Sequence, residues 1–286
     1  MSHSNIINAF GKADVYHNCF NPNILRGKVA FVTGGGSGIC YSICEVLMRH
    51  GCKTVIASRK KDRLEKAAAE LSRITSQECL PVVLDVRKPT EIMAAVDAAL
   101  SRFGKIDFLI NGAAGNFLCP AASMSFNAFK TVMEIDAQGT FNVTKVVFDK
   151  YMKDNGGVIV NISATLPIRG TPFQAHASSA KAAIDTLTKC LASEWGQIGV
   201  RVVGVAPGPI AETEGMTRLA GNMQEVISQN IPLLKLGNKL DIAYAVLYLL
   251  TPVASYITGH TMIVDGGDWM TSNHTFSMMT ARQSKL

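Results

Sequence analysis

Thr33-Gly34-Gly35-Gly36-Ser37-Gly38-Ile39 follows a β-branched run and opens a helix-forming segment that reaches about His50. Glycines at such a place permit a tight turn and a close approach of backbone to a pyrophosphate. The helix N-terminus then offers unpaired N–H groups and a favourable dipole. A glycine-rich stretch alone is weak evidence, but the strand–loop–helix context makes it a dinucleotide site. The next β-branched run ends at Ser58 and Arg59, followed by Lys60, Lys61, Asp62 and Arg63. An acid there would bind a ribose 2′-hydroxyl; a hydroxyl and a guanidinium suit a 2′-phosphate, which arginine grips through two hydrogen bonds. The expected cofactor is therefore NADPH. Asp85, expected to end the third strand, is placed to meet the adenine amino group.

The elements that must position these groups alternate. Short apolar, β-branched runs occupy 28–33, 54–58, 80–86, 106–111, 158–163, 200–206 and 261–265, with helical periodicity at 62–74, 89–103, 128–154 and 175–197. That alternation specifies an α/β fold: a Rossmann-type doubly wound parallel sheet of about seven strands, helices on both faces. One NADPH-binding domain is expected over 25–268, with an extension at 1–24 and a tail at 269–286.

Composition excludes several classes of function. With 48% hydrophobic and 17% charged residues, the chain reads as a globular enzyme rather than a disordered segment. Its net charge of +6 favours small anions, yet no Lys/Arg run concentrates it, so nucleic acid is not expected. Seven scattered cysteines without a C-x-x-C pair suggest free thiols. No metal is expected, and no apolar run approaches membrane-spanning length. The final Ser284-Lys285-Leu286 matches an address read by the peroxisomal import receptor, so a peroxisomal matrix location is expected.

Asn111-Gly112-Ala113-Ala114-Gly115 after the fourth strand and Pro207-Gly208-Pro209-Ile210 after the sixth complete a pattern with the glycine loop and Lys181. Together they resemble the short-chain dehydrogenase/reductase family over almost the whole chain. Cys40 departs from it, standing where the family usually has its third glycine. The resemblance implies further cofactor contacts from Lys60, Lys61, Asp62, Arg63, Val86, Asn111 and Lys181, and from Pro207, Gly208, Pro209, Ile210, Ala211, Glu212 and Thr213. Family members that reduce ketones use a serine and a Tyr-x-x-x-Lys. Lys181 fits the lysine, but the tyrosine position is Ala177, and the serine position falls on Ala164. Asp136 stands where the family usually has asparagine. Neither alanine handles a proton, so the usual ketone mechanism is absent.

The altered set is similar to the branch of that family that reduces 2,4-dienoyl-CoA in the peroxisomal oxidation of unsaturated fatty acids. The matching stretches are NGAAGNFLCP (111–120), SFNAFK (125–130), HASSAK (176–181) and APGPIAETE (206–214). A conjugated dienoyl thioester accepts hydride at C5, spreads charge into a dienolate, and is protonated at C2 to give 3-enoyl-CoA. The resemblance implies that Lys181 holds the nicotinamide ribose and that Asp136 positions a proton-donating water. It implies Arg87 and Arg218 on the CoA phosphates, with Arg59 shared between cofactor and CoA. Phe117, Ser125, Phe126 and Asn127 would line the acyl and pantetheine path, Asn116 would face the thioester, and the protein would be a homotetramer. His176 is taken as structural. Another enoyl-CoA or carbonyl reductase and an inactive NADPH-binding scaffold are the alternatives; Lys181 and the intact phosphate loop favour an enzyme.

Overall fold

In β1 (Val29–Thr33) every residue is buried, and successive side chains part to opposite faces. Ala30 and Val32 join one apolar cluster, Val29 and Phe31 the other. Such a strand is covered on both sides, which explains its continuous apolar sequence. The computed structural model describes residues 20–220 and 224–271, with backbone only at 218–220. After β1 come α1 (Gly38–Arg49), β2 (Lys53–Ser58), α2 (Lys61–Thr75), β3 (Cys79–Val83), α3 (Pro89–Phe103) and β4 (Phe108–Asn111). A long helical stretch follows as α4 (Phe126–Met133), a π turn (Glu134–Gln138), α5 (Gly139–Val147), a second π turn (Phe148–Met152) and α6 (Lys153–Asn155). The remainder is β5 (Gly157–Ile162), α7 (Leu166–Arg169), α8 (Ala175–Trp195), β6 (Val200–Pro207), α9 (Glu214–Ala220), α10 (Gln224–Asn230), α11 (Lys239–Leu250) and β7 (Thr261–Val264).

These strands form one parallel seven-stranded sheet in the order β3-β2-β1-β4-β5-β6-β7. Strand order reverses beside β1, so a crevice opens at the carboxyl ends of β1 and β4, where ligands of such sheets bind. Helices α1 and α11 cover one face, α3 and α5 the other.

The sheet agrees with expectation, and three local features differ. β3 stops at Val83, leaving Asp85 and Val86 in the following turn rather than in the strand. The expected helix at 128–154 begins earlier, because Ser125 caps it by accepting from Ala128 N at 3.1 Å. It is also interrupted by the two π turns. Helix α11, absent from the sequence reading, is apolar on nearly all sides and lies inside the first cluster. Among the described residues no helix is long and apolar enough to cross a membrane.

Candidate active site

The glycine loop is a cradle by shape. Gly34 has φ +74°, and a Cβ there would lie 2.8 Å from the Gly112 carbonyl oxygen. Loop and opposite wall are tied by Thr33, whose hydroxyl accepts from Gly112 N at 3.0 Å and Ala113 N at 3.2 Å. Gly112 also accounts for Cys40. A Cβ at Gly112 would fall 2.1 Å from Cys40 Sγ, so the sulfur fills space that this glycine leaves open. Burial pushes the Cys40 thiol up to about 12, which keeps it a packing group.

The cleft above this loop encloses about 540 Å³. Gly34, Gly36, Ser37, Gly38 and Ile39 line its floor, and Ser58, Arg59, Lys60 and Arg63 line one wall. Lys61 and Asp62 line an adjoining groove with Tyr41. Across the mouth, Arg63 Nη2 reaches Glu214 Oε1 of α9 at 2.5 Å. An open glycine loop at a helix N-terminus, walled by a hydroxyl and cations at the end of β2, fits a dinucleotide.

Asp85 and Val86 also line the cleft. The Asp85 carboxylate accepts from Arg87 Nε at 3.0 and 3.1 Å, from Nη2 at 2.5 Å and from the Arg87 backbone N at 3.0 Å. Chiefly through those bonds, its carboxyl is held down from 3.8 to about 2. Arg87, expected on CoA phosphate, is thus already committed to a carboxylate.

At the inner end stands a second pair. The π turn carries Asp136, whose side chain is 1% exposed. A π turn adds a residue to the helical repeat and so re-aims the side chains beyond it. Asp136 Oδ1 accepts from Gly115 N at 2.7 Å, and Oδ2 lies 3.4 Å from Lys181 Nζ. Lys181, on α8, also donates to the Ile162 carbonyl at 2.9 Å. Burial raises the Asp136 carboxyl above its ordinary value, and Lys181 only partly opposes that. Ala164 and Ala177 line the cleft beside this pair, leaving room where a phenol would otherwise stand.

Other expected residues lie elsewhere. Asn111, expected at the cofactor, is buried instead: its amide donates to Thr144 Oγ1 at 2.8 Å and Asn161 Oδ1 at 2.9 Å, bracing β4 against β5. Gly35 packs under the loop, where a Cβ would sit 2.7 Å from Ile56 Cγ2. Pro207, Gly208 and Thr213 line the cleft, whereas Ile210 is buried against Gly237. Pro209 and Ala211 contribute backbone to the same turn, and Glu212 pairs with Lys239 at 3.4 Å. Asn116 lines the cleft. Phe117 stacks on His176 at its side, while Ser125, Phe126 and Asn127 are exposed at the start of α4. The Arg218 side chain and residues 284–286 lie outside the described residues. Sequence reasoning missed Cys40, Gly112, Ala113 and Ala114 as lining groups; the glycine that follows Asn111 was the available signal.

The family described as enoyl-(acyl carrier protein) reductase matches residues 34–268. The peroxisomal 2,4-dienoyl-CoA reductase ((3E)-enoyl-CoA-producing) of Danio rerio is 54% identical over 277 residues, covering 95% of this chain and 92% of that protein. Its namesake in Pongo abelii is 57% identical over 259 residues, covering 90% and 88%. A solved 3-ketoacyl-(acyl-carrier-protein) reductase from Brucella melitensis, complexed with NADH, superposes with a TM-score of 0.79 at 32% identity, covering 86% of this chain and 99% of that one.

Proposed function

The chain belongs to the short-chain dehydrogenase/reductase family, and from that premise we propose that it reduces 2,4-dienoyl-CoA to 3-enoyl-CoA with NADPH in peroxisomal fatty-acid oxidation. One observation carries the reading: a buried Asp136–Lys181 pair in a cleft whose tyrosine and serine positions are Ala177 and Ala164. A ketone reductase needs a proton donor at the forming alcohol; a conjugated thioester takes its proton later, on carbon. Bound dihydronicotinamide supplies the hydride.

The remaining work falls to this chain's own residues. Lys181, anchored by the Ile162 carbonyl, directs its other N–H donors toward a ribose and adds positive potential where the thioester gains negative charge. Asp136, fixed at Oδ1 by Gly115 N, holds a water through Oδ2, and that water delivers the proton to C2. A carboxyl with raised proton affinity is suited to replenish the water. Ser58, Arg59 and Lys60 support the choice of NADPH. Arg59 is shared with CoA; Arg218 meets a CoA phosphate, as does Arg87 through the N–H donors that its pairing with Asp85 leaves over, and Phe117 with the 125–127 turn flanks the acyl path. The domain spans 25–268, the protein is a homotetramer, and Ser284-Lys285-Leu286 engages the import receptor.

NADPH oxidation measured in parallel with 2,4-hexadienoyl-CoA, a 2-enoyl-CoA and a simple ketone tests the proposal. Turnover should be confined to the dienoyl substrate, and faster turnover of either other compound overturns it. Deleting Ser284–Leu286 should abolish peroxisomal import in cells and leave that activity unchanged.

A further inference from the structure

Three consecutive residues after β4 are each tied to a different group. Gly115 N donates to Asp136 Oδ1 at 2.7 Å, Asn116 Nδ2 donates to Gln174 Oε1 at 2.6 Å, and the Phe117 ring lies on the His176 ring with centroids 4.1 Å apart. Gln174 and His176 begin α8, the helix that carries Lys181 little more than one turn further on. The segment that flanks the acyl path is thereby clamped to Asp136 and to the start of the helix that carries Lys181.

His176 is the unusual member of the clamp. Its side chain is buried, and neither ring nitrogen makes a well-formed hydrogen bond. Packing alone does not call for an imidazole here, since a phenyl ring would stack on Phe117 without burying two polar ring nitrogens beside the Phe117 backbone. Among the described residues the charged group that acts on the imidazole is Asp136, from the π turn. The loop contributes the uncharged Asn116 and Phe117, the latter also through its backbone. Burial lowers the proton affinity of His176, so at neutral pH it is a neutral imidazole that can donate at one nitrogen and accept at the other.

We infer that His176 is a positioning residue for the protonation step, its ring holding Phe117 along the acyl path and its polar edge acting on Asp136. The inference rests on the reading of Asp136 given above. It assigns chemistry to a residue whose sequence setting, a lone histidine on a helix, suggested only packing.

The decisive variant is His176→Phe, which keeps the stack and removes the nitrogens. Its KM for 2,4-hexadienoyl-CoA should stay within about twofold, while kcat falls about 10-fold, a part of the effect typical of acid–base groups. In acid the ring takes up a proton and its charge favours the ionised Asp136, so loss of the imidazole should move the Asp136-dependent limb of the kcat–pH profile to higher pH. His176→Gln, which keeps a polar group and loses the stack, should instead raise KM and retain more of kcat. A His176→Phe enzyme with wild-type kcat and pH profile overturns the inference. Should that variant not fold, an unchanged KM in His176→Gln does so. Asp136→Ala measured alongside separates the two levels: a normal rate there removes the reading of Asp136 itself, whereas a lowered rate with normal His176→Phe removes this inference alone.

Discussion

Two aspartate–cation pairs stand on the same cleft, and their carboxyls are driven in opposite directions. Asp85 is gripped by Arg87 through several hydrogen bonds, and its carboxyl is held at about 2. Asp136 meets Lys181 at 3.4 Å with one backbone hydrogen bond, deeper in the protein, and its carboxyl is raised. Charge pairing therefore does not decide the outcome; burial weighed against hydrogen-bond geometry does. The outer pair is held as ions on the wall of the cleft. The inner pair holds a buried carboxyl whose proton affinity is raised, the property on which its proposed part in proton transfer rests.

Breaking the inner pair should have the largest effect. Lys181→Ala should raise the KM for NADPH and lower kcat together, because the lysine is assigned to the ribose and to the developing charge; steady-state kinetics over both substrates checks this. Asp136→Ala should lower kcat by about 10²- to 10⁴-fold, with NADPH affinity from a fluorescence titration nearly intact. At the outer wall, Arg59→Ala should raise the KM for NADPH well above its effect on NADH, and equal changes for both cofactors would remove the 2′-phosphate assignment.

Asp85→Asn should produce the smallest effect on turnover and a measurable one on stability. Its folded carboxyl titrates below the unfolded value, so the stabilisation is complete above 3.8 and is lost as pH falls through about 2. Arg87 is 35% exposed, which limits the loss to roughly 1–2 kcal/mol at pH 7. Thermal unfolding should show a lower Tm than wild type at neutral pH and convergence of the two near the acid limit.

The outer region was legible in the sequence because its chemistry is contiguous. A strand, a glycine loop and a helix follow one another to form the floor of the cleft, and Arg59 follows the next strand directly. The inner region is assembled from afar: Asp136 meets Gly115 and Lys181 across the fold. Periodicity read one unbroken helix over 128–154, and no pattern of apolar residues announced the π turn that carries Asp136. Asn111 shows the same dependence on distant residues. The motif it opens suggests a ligand contact, and in the fold it ends β4 with its amide donating to Thr144 and Asn161. Helix α11 escaped because its apolar residues form no stripe, although Asn238 and Asp241 spell a capping box at its start.

The central claim, that burial sets one carboxyl above and hydrogen bonding sets the other below the ordinary aspartate range, is open to direct titration. Carbon-detected NMR of protein labelled at aspartate side chains, with Asp85→Asn and Asp136→Asn identifying the two resonances, reads both groups in one series. Asp136 should titrate above 3.8 and Asp85 near 2. An Asp136 resonance titrating at or below that of Asp85 would contradict it.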